Sequence, residues 1–333
     1  MELASVWGNR SHGVTLMEGL RGAVQNQSLL RATKGSGADE EIKGGLEKAA
    51  AVATWADVVI LALGETSLHS GESRSRTEIT IPEVQQDLAE AVAKAVQKVG
   101  KPMIILLKNG RALELRGAVK DAGAIMVTWF LGKQTGHAIA DVLFGDYSPS
   151  GRLPISFPMA SGQQPWYYNH MSSGRPCTWG RSWTNCFLDV PDLALYPFGH
   201  GLTYAKVNYT TPRLSHLRLP WNGSLSIACN VTNVGHRVAE EVVQLYVHDQ
   251  VASRVRPVRE LKGFKKIILE PGETQQVDFT LVRQNLLFAS AAYSRHSETY
   301  TVEAGLFTIW VAPSSTEGLP VSFELLGPDG PMI

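Results

Sequence analysis

The chain has 333 residues, 44% of them hydrophobic and 19% charged, a globular balance that excludes a disordered polar polymer and leaves room for about two domains. Lysine plus arginine equals aspartate plus glutamate, 31 each, so no net field favours nucleic acid or an acidic membrane; a neutral small substrate or a protein partner fits better. The longest apolar runs, near residues 58–63 and 103–107, fall far short of the ~20 residues of a membrane helix.

In chain order, residues 39–55 read as a helix whose acidic start suits the positive end of a helix dipole. DVVILAL (57–63), closing on Gly64, is a continuous apolar run and predicts a central parallel strand. Pro82 suits a first helical turn, and Val84, Leu88, Val92 and Val96 then line one helix face. Residues 102–107 and 124–129 predict two further buried strands, and 136–143 a short helix. This repeated β-α-β pattern predicts an α/β domain, an open, mostly parallel sheet with helices on both faces. Ligands of such sheets bind at the carboxyl ends of the strands, so the loop 64–80 leaving the first strand is the first place to look for chemistry.

From about residue 207 the period becomes two. Leu225, Ile227, Cys229 and Val231 alternate with polar residues, as do Val243, Leu245 and Val247, and Val277, Phe279 and Leu281. Glu270-Pro271-Gly272-Glu273 is a turn, with proline presetting one central position and glycine free to take positive φ. With 300–311 and 321–325 this makes about seven strands, the count of an immunoglobulin- or fibronectin-like sandwich. The expected division is therefore 1–158 for the α/β domain, 159–206 for a connecting segment rich in Pro, Gly and aromatics, and 207–333 for the all-β sandwich.

Three cysteines are too few for a disulfide scaffold; Cys177 and Cys186 share a loop and could bridge in an oxidising compartment, and three free thiols are equally consistent. The N-terminus shows no basic region before an apolar run, so no signal peptide is read there. Five Asn-x-Ser/Thr sequons (Asn9, Asn26, Asn208, Asn222, Asn230) matter only in a host that glycosylates. No G-x-S-x-G elbow is present, and Gly199-His200-Gly201 lacks both the third glycine and the preceding strand of a dinucleotide fingerprint. The nine histidines show no metal-ligand spacing; His69 precedes Glu72 by three, but two residues do not make a metal site. Neither a metal nor a cofactor is expected. What remains is the loop from Gly64 to Arg76, with the carboxylates Glu65 and Glu72, the cations Arg74 and Arg76, and several hydroxyls.

ADVVILALGE followed by GESRSRTEITIPEVQ resembles the loop of glycoside hydrolase family 3 that carries the general acid/base. WFLG (129–132), AIADVLFGDYSPSGRLPISFP (138–158), YYNHMSSGRP (167–176) and LYPFGHGLTY (195–204) resemble the same family, and residues 207–326, with RPVRELKGF and LEPGE, resemble its fibronectin type III-like domain. The periplasmic bacterial β-glucosidases look most similar. One departure is Gly132-Lys133-Gln134-Thr135-Gly136, where the family commonly has Gly-x-Glu-Gly-Gly.

The resemblance implies a retaining exo-glycosidase acting on terminal β-D-glucosyl residues of β-glucosides or oligosaccharides, without a cofactor, in the periplasm or outside the cell. It implies that Glu72 is the acid/base, with Glu65, which directly follows the strand, as a structural competitor. A cation aimed at Glu72 would hold it ionised, so at least one of Arg74 and Arg76 is expected to face away. Arg76 and Trp129 are candidate sugar contacts, although burial against the sheet is the leading reading of Trp129, and Trp179 and Trp183 either line an entrance or pack. The family's N-terminal barrel, which carries the nucleophile, is expected to be missing, as is the first strand of the α/β domain, so the chain alone is expected to be inactive. The competing readings are a non-catalytic module that binds carbohydrate or a protein, and a nucleotide-binding α/β protein, for which no phosphate loop is found. Oligomeric state is left open.

Overall fold

The computed structural model describes residues 12–178, 184–290 and 300–328. Two compact units are formed: one from the chain up to Tyr147 with Pro158–Gln164, the other from Ser148–Phe157 with Pro165 onward.

The first unit runs α1 (Leu16–Ala23), α2 (Gly45–Trp55), β1 (Val59–Gly64), α3 (Glu83–Gln97), β2 (Met103–Lys108), α4 (Gly117–Lys120), β3 (Ala124–Val127) and α5 (Thr135–Phe144). The three strands form a parallel sheet in the order β1-β2-β3. Helices α2, α3 and α4 pack in series as one layer, and α1 packs on α5 as another. The α3 face predicted from the sequence is buried at Leu88, Val92 and Val96, and β2 is buried at Met103, Ile105, Leu106 and Leu107.

Two boundaries differ from the sequence reading. The helix expected over 39–55 begins at Gly45: Gly44 takes φ +68°, the Gly45 amide closes a turn onto Ile42 O at 2.7 Å, and the acidic residues ahead of that turn lie in a bend closed by the Ser36–Glu41 bridge, with Gly37 N donating to Glu40 O at 2.8 Å. The strand expected over 124–129 ends at Val127, because Trp129 has φ +52°, which no strand residue adopts.

The second unit is a sandwich whose strands pair antiparallel except where β6 (Arg218–Leu219) runs parallel to β14 (Val321–Leu325). One sheet has β10 (Thr274–Val282), β7 (Ser224–Asn233) and β4 (Val207–Tyr209) in that order, with β5 (Arg213–Leu214) also on β7. The other has the order β6 (Arg218–Leu219), β14 (Val321–Leu325), β13 (Gly305–Ala312), β8 (Ala239–Asp249), β9 (Glu260–Leu269). A short ribbon pairs β11 (Phe288–Ala289) with β12 (Tyr300–Thr301). Among the described residues the two sheets therefore hold nine strands rather than about seven, the additions being two-residue pieces too short to leave a period in the sequence.

The alternating residues fill the core as expected: Leu225, Ile227, Cys229 and Val231 from β7 meet Val277, Phe279 and Leu281 from β10 and Val243, Leu245 and Val247 from β8. The turn after β9 closes by Glu273 N donating to Glu270 O at 2.9 Å, with Gly272 at φ +81°. Residues 148–157 belong to this unit through Arg152, which ion-pairs with Glu241 (2.6 Å), while Tyr209 donates to the same carboxylate at 2.7 Å. Burial and that neighbouring negative charge push the Tyr209 hydroxyl far above its usual range, so it stays a donor. Among the described residues, no helix is long and apolar enough to cross a membrane.

Candidate active site

The loop after β1 begins where backbone crowding leaves only one residue type. Gly64 has φ +134°, and a Cβ there would lie 1.8 Å from Lys108 O of β2. Next to it, the Glu65 amide donates to that same carbonyl at 2.7 Å, which turns the Glu65 side chain inward. Its carboxylate is 0% exposed and is held by the Gly110 amide (3.0 Å), Arg111 Nε (3.1 Å) and Arg76 Nη1 (3.4 Å). A buried carboxylate persists when paired and hydrogen-bonded in this way. Glu65 is the structural carboxylate of the loop, and Arg76 faces it rather than Glu72, as the sequence argument required of at least one arginine.

Arg111 does more than neutralise Glu65. Its Nη2 donates to His69 O at 2.6 Å and to Arg74 O at 2.8 Å, so one guanidinium clips both shoulders of residues 69–74. His69 is fixed in turn: Nδ1 accepts from Thr66 N at 3.0 Å, so Nε2 carries the proton and donates to Asp39 at 2.8 Å. Further along, Ile79 N donates to Ser161 Oγ (3.1 Å), and Ile79 O accepts from Glu114 N (2.9 Å). The Glu114 carboxyl takes bonds from Arg116 and from Ser161 N and Oγ; burial works to raise its pKa, but these bonds prevail and hold it below the usual carboxylate range.

Between these anchors the chain takes two unusual conformations, Gly71 at φ +144° and Ser73 at φ +58°. Glu72 lies between them. It is exposed, and among the described residues its carboxylate has no hydrogen-bond or ion-pair partner. A non-glycine residue in the left-handed region costs of order 1–3 kcal/mol and persists only where its surroundings enforce it; here the Arg111 clip and the Arg74 N to Gly71 O bond (3.3 Å) do so.

The carboxyl ends of the other two strands complete the site. Gly110, after β2, leaves no room for a Cβ beside Ser70 Oγ and Phe130. Trp129, after β3, is half-buried at φ +52°, and Thr128 tethers that turn to Leu107 O through both its amide (2.9 Å) and its hydroxyl (3.1 Å). Glu72, Arg76 and Trp129 thus all follow strands of one sheet at its carboxyl edge, and of the loop's two carboxylates Glu72 is the one left unengaged among the described residues. Sequence reasoning missed Arg111, although Asn109-Gly110-Arg111 follows β2 and falls under the same carboxyl-end rule. Gln85, which donates to and accepts from Gly64, was missed as well. Trp179 and Trp183 lie outside the described residues. Cys177 and Cys186 form a disulfide, and Cys229 is a buried free thiol. Among the described residues no group of three or more His, Cys, Asp and Glu is placed to hold a metal.

Residues 3–204 match the glycosyl hydrolase family 3 C-terminal domain, and residues 241–315 match a fibronectin type III-like domain. A periplasmic beta-glucosidase of Salmonella typhimurium is 37% identical over 97% of this chain and 44% of its own length. A beta-xylosidase of Formosa agariphila is 36% identical over 91% of this chain and 40% of its own. The crystal structure of a beta-glucosidase from Listeria innocua in complex with glucose superposes with a TM-score of 0.88 at 34% identity, covering 97% of this chain and 43% of that one. The chain spans less than half the length of these relatives. It belongs to glycoside hydrolase family 3, as the C-terminal α/β domain and fibronectin type III-like domain of that family.

Proposed function

We propose that this chain supplies the acid/base half of a retaining β-glucosidase-type exo-glycosidase, with Glu72 as the residue that protonates the leaving oxygen and then deprotonates water. The observation that carries this reading is the contrast between the loop's two carboxylates. Glu65 is buried and saturated by two arginines and an amide, whereas Glu72 is exposed and unengaged on a turn fixed from both sides.

Retaining glycosidases need two carboxyl groups about 5–5.5 Å apart, one attacking the anomeric carbon while the other moves the proton. Glu72 is offered here as the proton carrier; on this reading the nucleophile comes from the portion of the relatives' length that this chain does not span. Trp129 is a candidate platform for the sugar. Arg76, committed to Glu65 and to Thr80 O (3.0 Å), has only the rest of its guanidinium for a sugar hydroxyl. Substrates are terminal β-D-glucosyl residues; the Listeria innocua beta-glucosidase, crystallised with glucose and as a mutant with laminaribiose, supports that choice. The Cys177–Cys186 disulfide and a relative named as periplasmic support a periplasmic or secreted setting.

The chain by itself is inactive on this reading. Incubating the purified chain with an aryl β-glucoside tests it: no turnover is expected, and turnover that disappears in Glu72→Gln would overturn it.

A further inference from the structure

His69 joins the loop 64–76 to a segment far from it in sequence. Its ring Nε2 is 2.8 and 2.9 Å from the two carboxylate oxygens of Asp39, and its Nδ1 is 3.0 Å from the Thr66 amide. A backbone amide only donates, so Nδ1 is the acceptor and the ring proton sits on Nε2, facing Asp39. Both ring nitrogens are thereby committed. His69 has no free nitrogen with which to pass a proton to a substrate, which excludes it as a second proton carrier in the loop.

The bonds instead hold the chain. Asp39 is carried on a bend closed by the Ser36–Glu41 bridge and by Gly37 N donating to Glu40 O at 2.8 Å. The neighbouring Ala38 O accepts from the buried Gln85 carboxamide at 2.9 Å, and the same carboxamide accepts from Gly64 N at 2.8 Å. Gln85 therefore ties the bend to the first residue of the loop, and Asp39 ties it to His69. Between those two points Thr66 shapes the turn. Its carbonyl accepts from His69 N (3.1 Å) and Ser70 N (3.2 Å), and its hydroxyl from Leu68 N (3.2 Å). At His69 O the Arg111 clip begins, and it ends at Arg74 O. Glu72 lies on the stretch between those two carbonyls.

An exposed ion pair by itself contributes little. This pair is one-sided: the His69 side chain is 13% exposed and that of Asp39 56%. The buried partner is the one on the loop, so loss of Asp39 leaves a largely buried ring N–H without its acceptor.

We propose that His69, oriented by Asp39, is a positioning residue for Glu72, fixing the entry to the turn that carries it. A proton carrier acts only from its place, since misplacement by about 1 Å costs roughly 100-fold. The consequence for catalysis rests on the role given to Glu72 above; the hold on the loop does not.

Two measurements on the purified full chain test it. Long-range 1H–15N NMR identifies the protonated ring nitrogen of His69, and hydrogen exchange by mass spectrometry follows residues 66–76, with α3 as reference. The parent is expected to show the Nε2–H tautomer. Asp39→Ala is expected to raise exchange in 66–76 about fivefold, the size of one partly exposed hydrogen bond, with α3 unchanged. Asp39→Asn, whose carboxamide oxygen still accepts from Nε2, is expected to recover most of the protection. In a His69→Ala background, Asp39→Ala is expected to add nothing, because the two residues act as one unit. An Nδ1–H tautomer in the parent would overturn the proposal. So would loop exchange within about 1.5-fold of the parent in Asp39→Ala, a rise in α3 equal to that in the loop, or the same effect of Asp39→Ala with and without His69. Neither measurement passes through the Glu72 carboxylate, so failure here is distinguishable from failure of the role given to Glu72.

Discussion

Arg111→Ala removes the clip on the loop 64–76 while leaving every residue of that loop in place. Arg111 gives two charge-assisted bonds to carbonyls, at 2.6 and 2.8 Å, and an ion pair to Glu65 at 3.1 Å. Its side chain is 22% exposed, so each carbonyl bond is set at the low end of such bonds, about 1.5 kcal/mol. Glu65 keeps Arg76 and the Gly110 amide, so it is not left as a bare buried charge, and the loss stays near ~3 kcal/mol rather than exceeding it. Local opening of residues 69–74 should therefore become about 100-fold more populated, at ~1.4 kcal/mol per factor of ten. Trypsin reads this directly, because Arg74 and Arg76 lie in and beside the clipped segment. At low protease the cut rate after them follows the open population and should rise about 100-fold. Arg111→Lys, which keeps the charge but not the fork, should fall in between. A change under about threefold in Arg111→Ala would refute the clip as the source of loop order.

Gly64→Ala should cost more than about 3 kcal/mol, because a positive φ and a clash with β2 backbone coincide there; it is checked by soluble yield and denaturant midpoint. Glu72→Gln should leave stability within about 0.5 kcal/mol of the parent in urea unfolding, since the carboxylate has no partner among the described residues. Thiol titration of the native chain should find no reactive cysteine, and one per chain after unfolding without reductant. Cys177 and Cys186 are bonded, and burial raises the Cys229 thiol pKa against the lowering bonds from Thr210. Burial raises the Asp249 carboxyl to about 6 against the opposing charge of Arg256. A folded pKa above the unfolded one favours the fold below the unfolded value, and that contribution is lost as pH rises through about 6. The unfolding midpoint of the sandwich unit should accordingly fall between pH 4 and pH 7 in the parent and less in Asp249→Asn, and equal slopes would contradict this.

The sandwich was legible in the sequence because each strand has one wet face and one dry one: Leu225 to Val231 and Val277 to Leu281 alternate without a slip. The parallel strands were legible as unbroken apolar runs. What escaped has a common cause, since it depends on groups distant in sequence. The acidic residues before α2 lie in a bend closed by the Ser36–Glu41 bridge, and β3 stops short of Trp129 because the backbone there is left-handed. Gln85 sits on an amphipathic helix where a polar residue excites no comment, and its bonds to Gly64 and Ala38 leave no periodic trace. The carboxyl-end rule singles out the loop 64–80, and only the family resemblance singles out Glu72 within it. Its distinction from Glu65 became physical only with Arg76 and Arg111 in place.

The central assignment is tested most directly in a chimera in which this chain replaces the matched portion of the Salmonella typhimurium beta-glucosidase. Hydrolysis of aryl β-glucosides would be measured for the parent and for Glu72→Ala, with and without azide. The account predicts turnover in the parent. In the variant, turnover of poor leaving groups should fall by 10²–10⁴-fold, roughly the contribution of a general acid/base. Activated leaving groups should be far less affected, with azide restoring turnover as a β-glucosyl azide product. A variant that hydrolyses poor leaving groups as fast as the parent would contradict the assignment of Glu72.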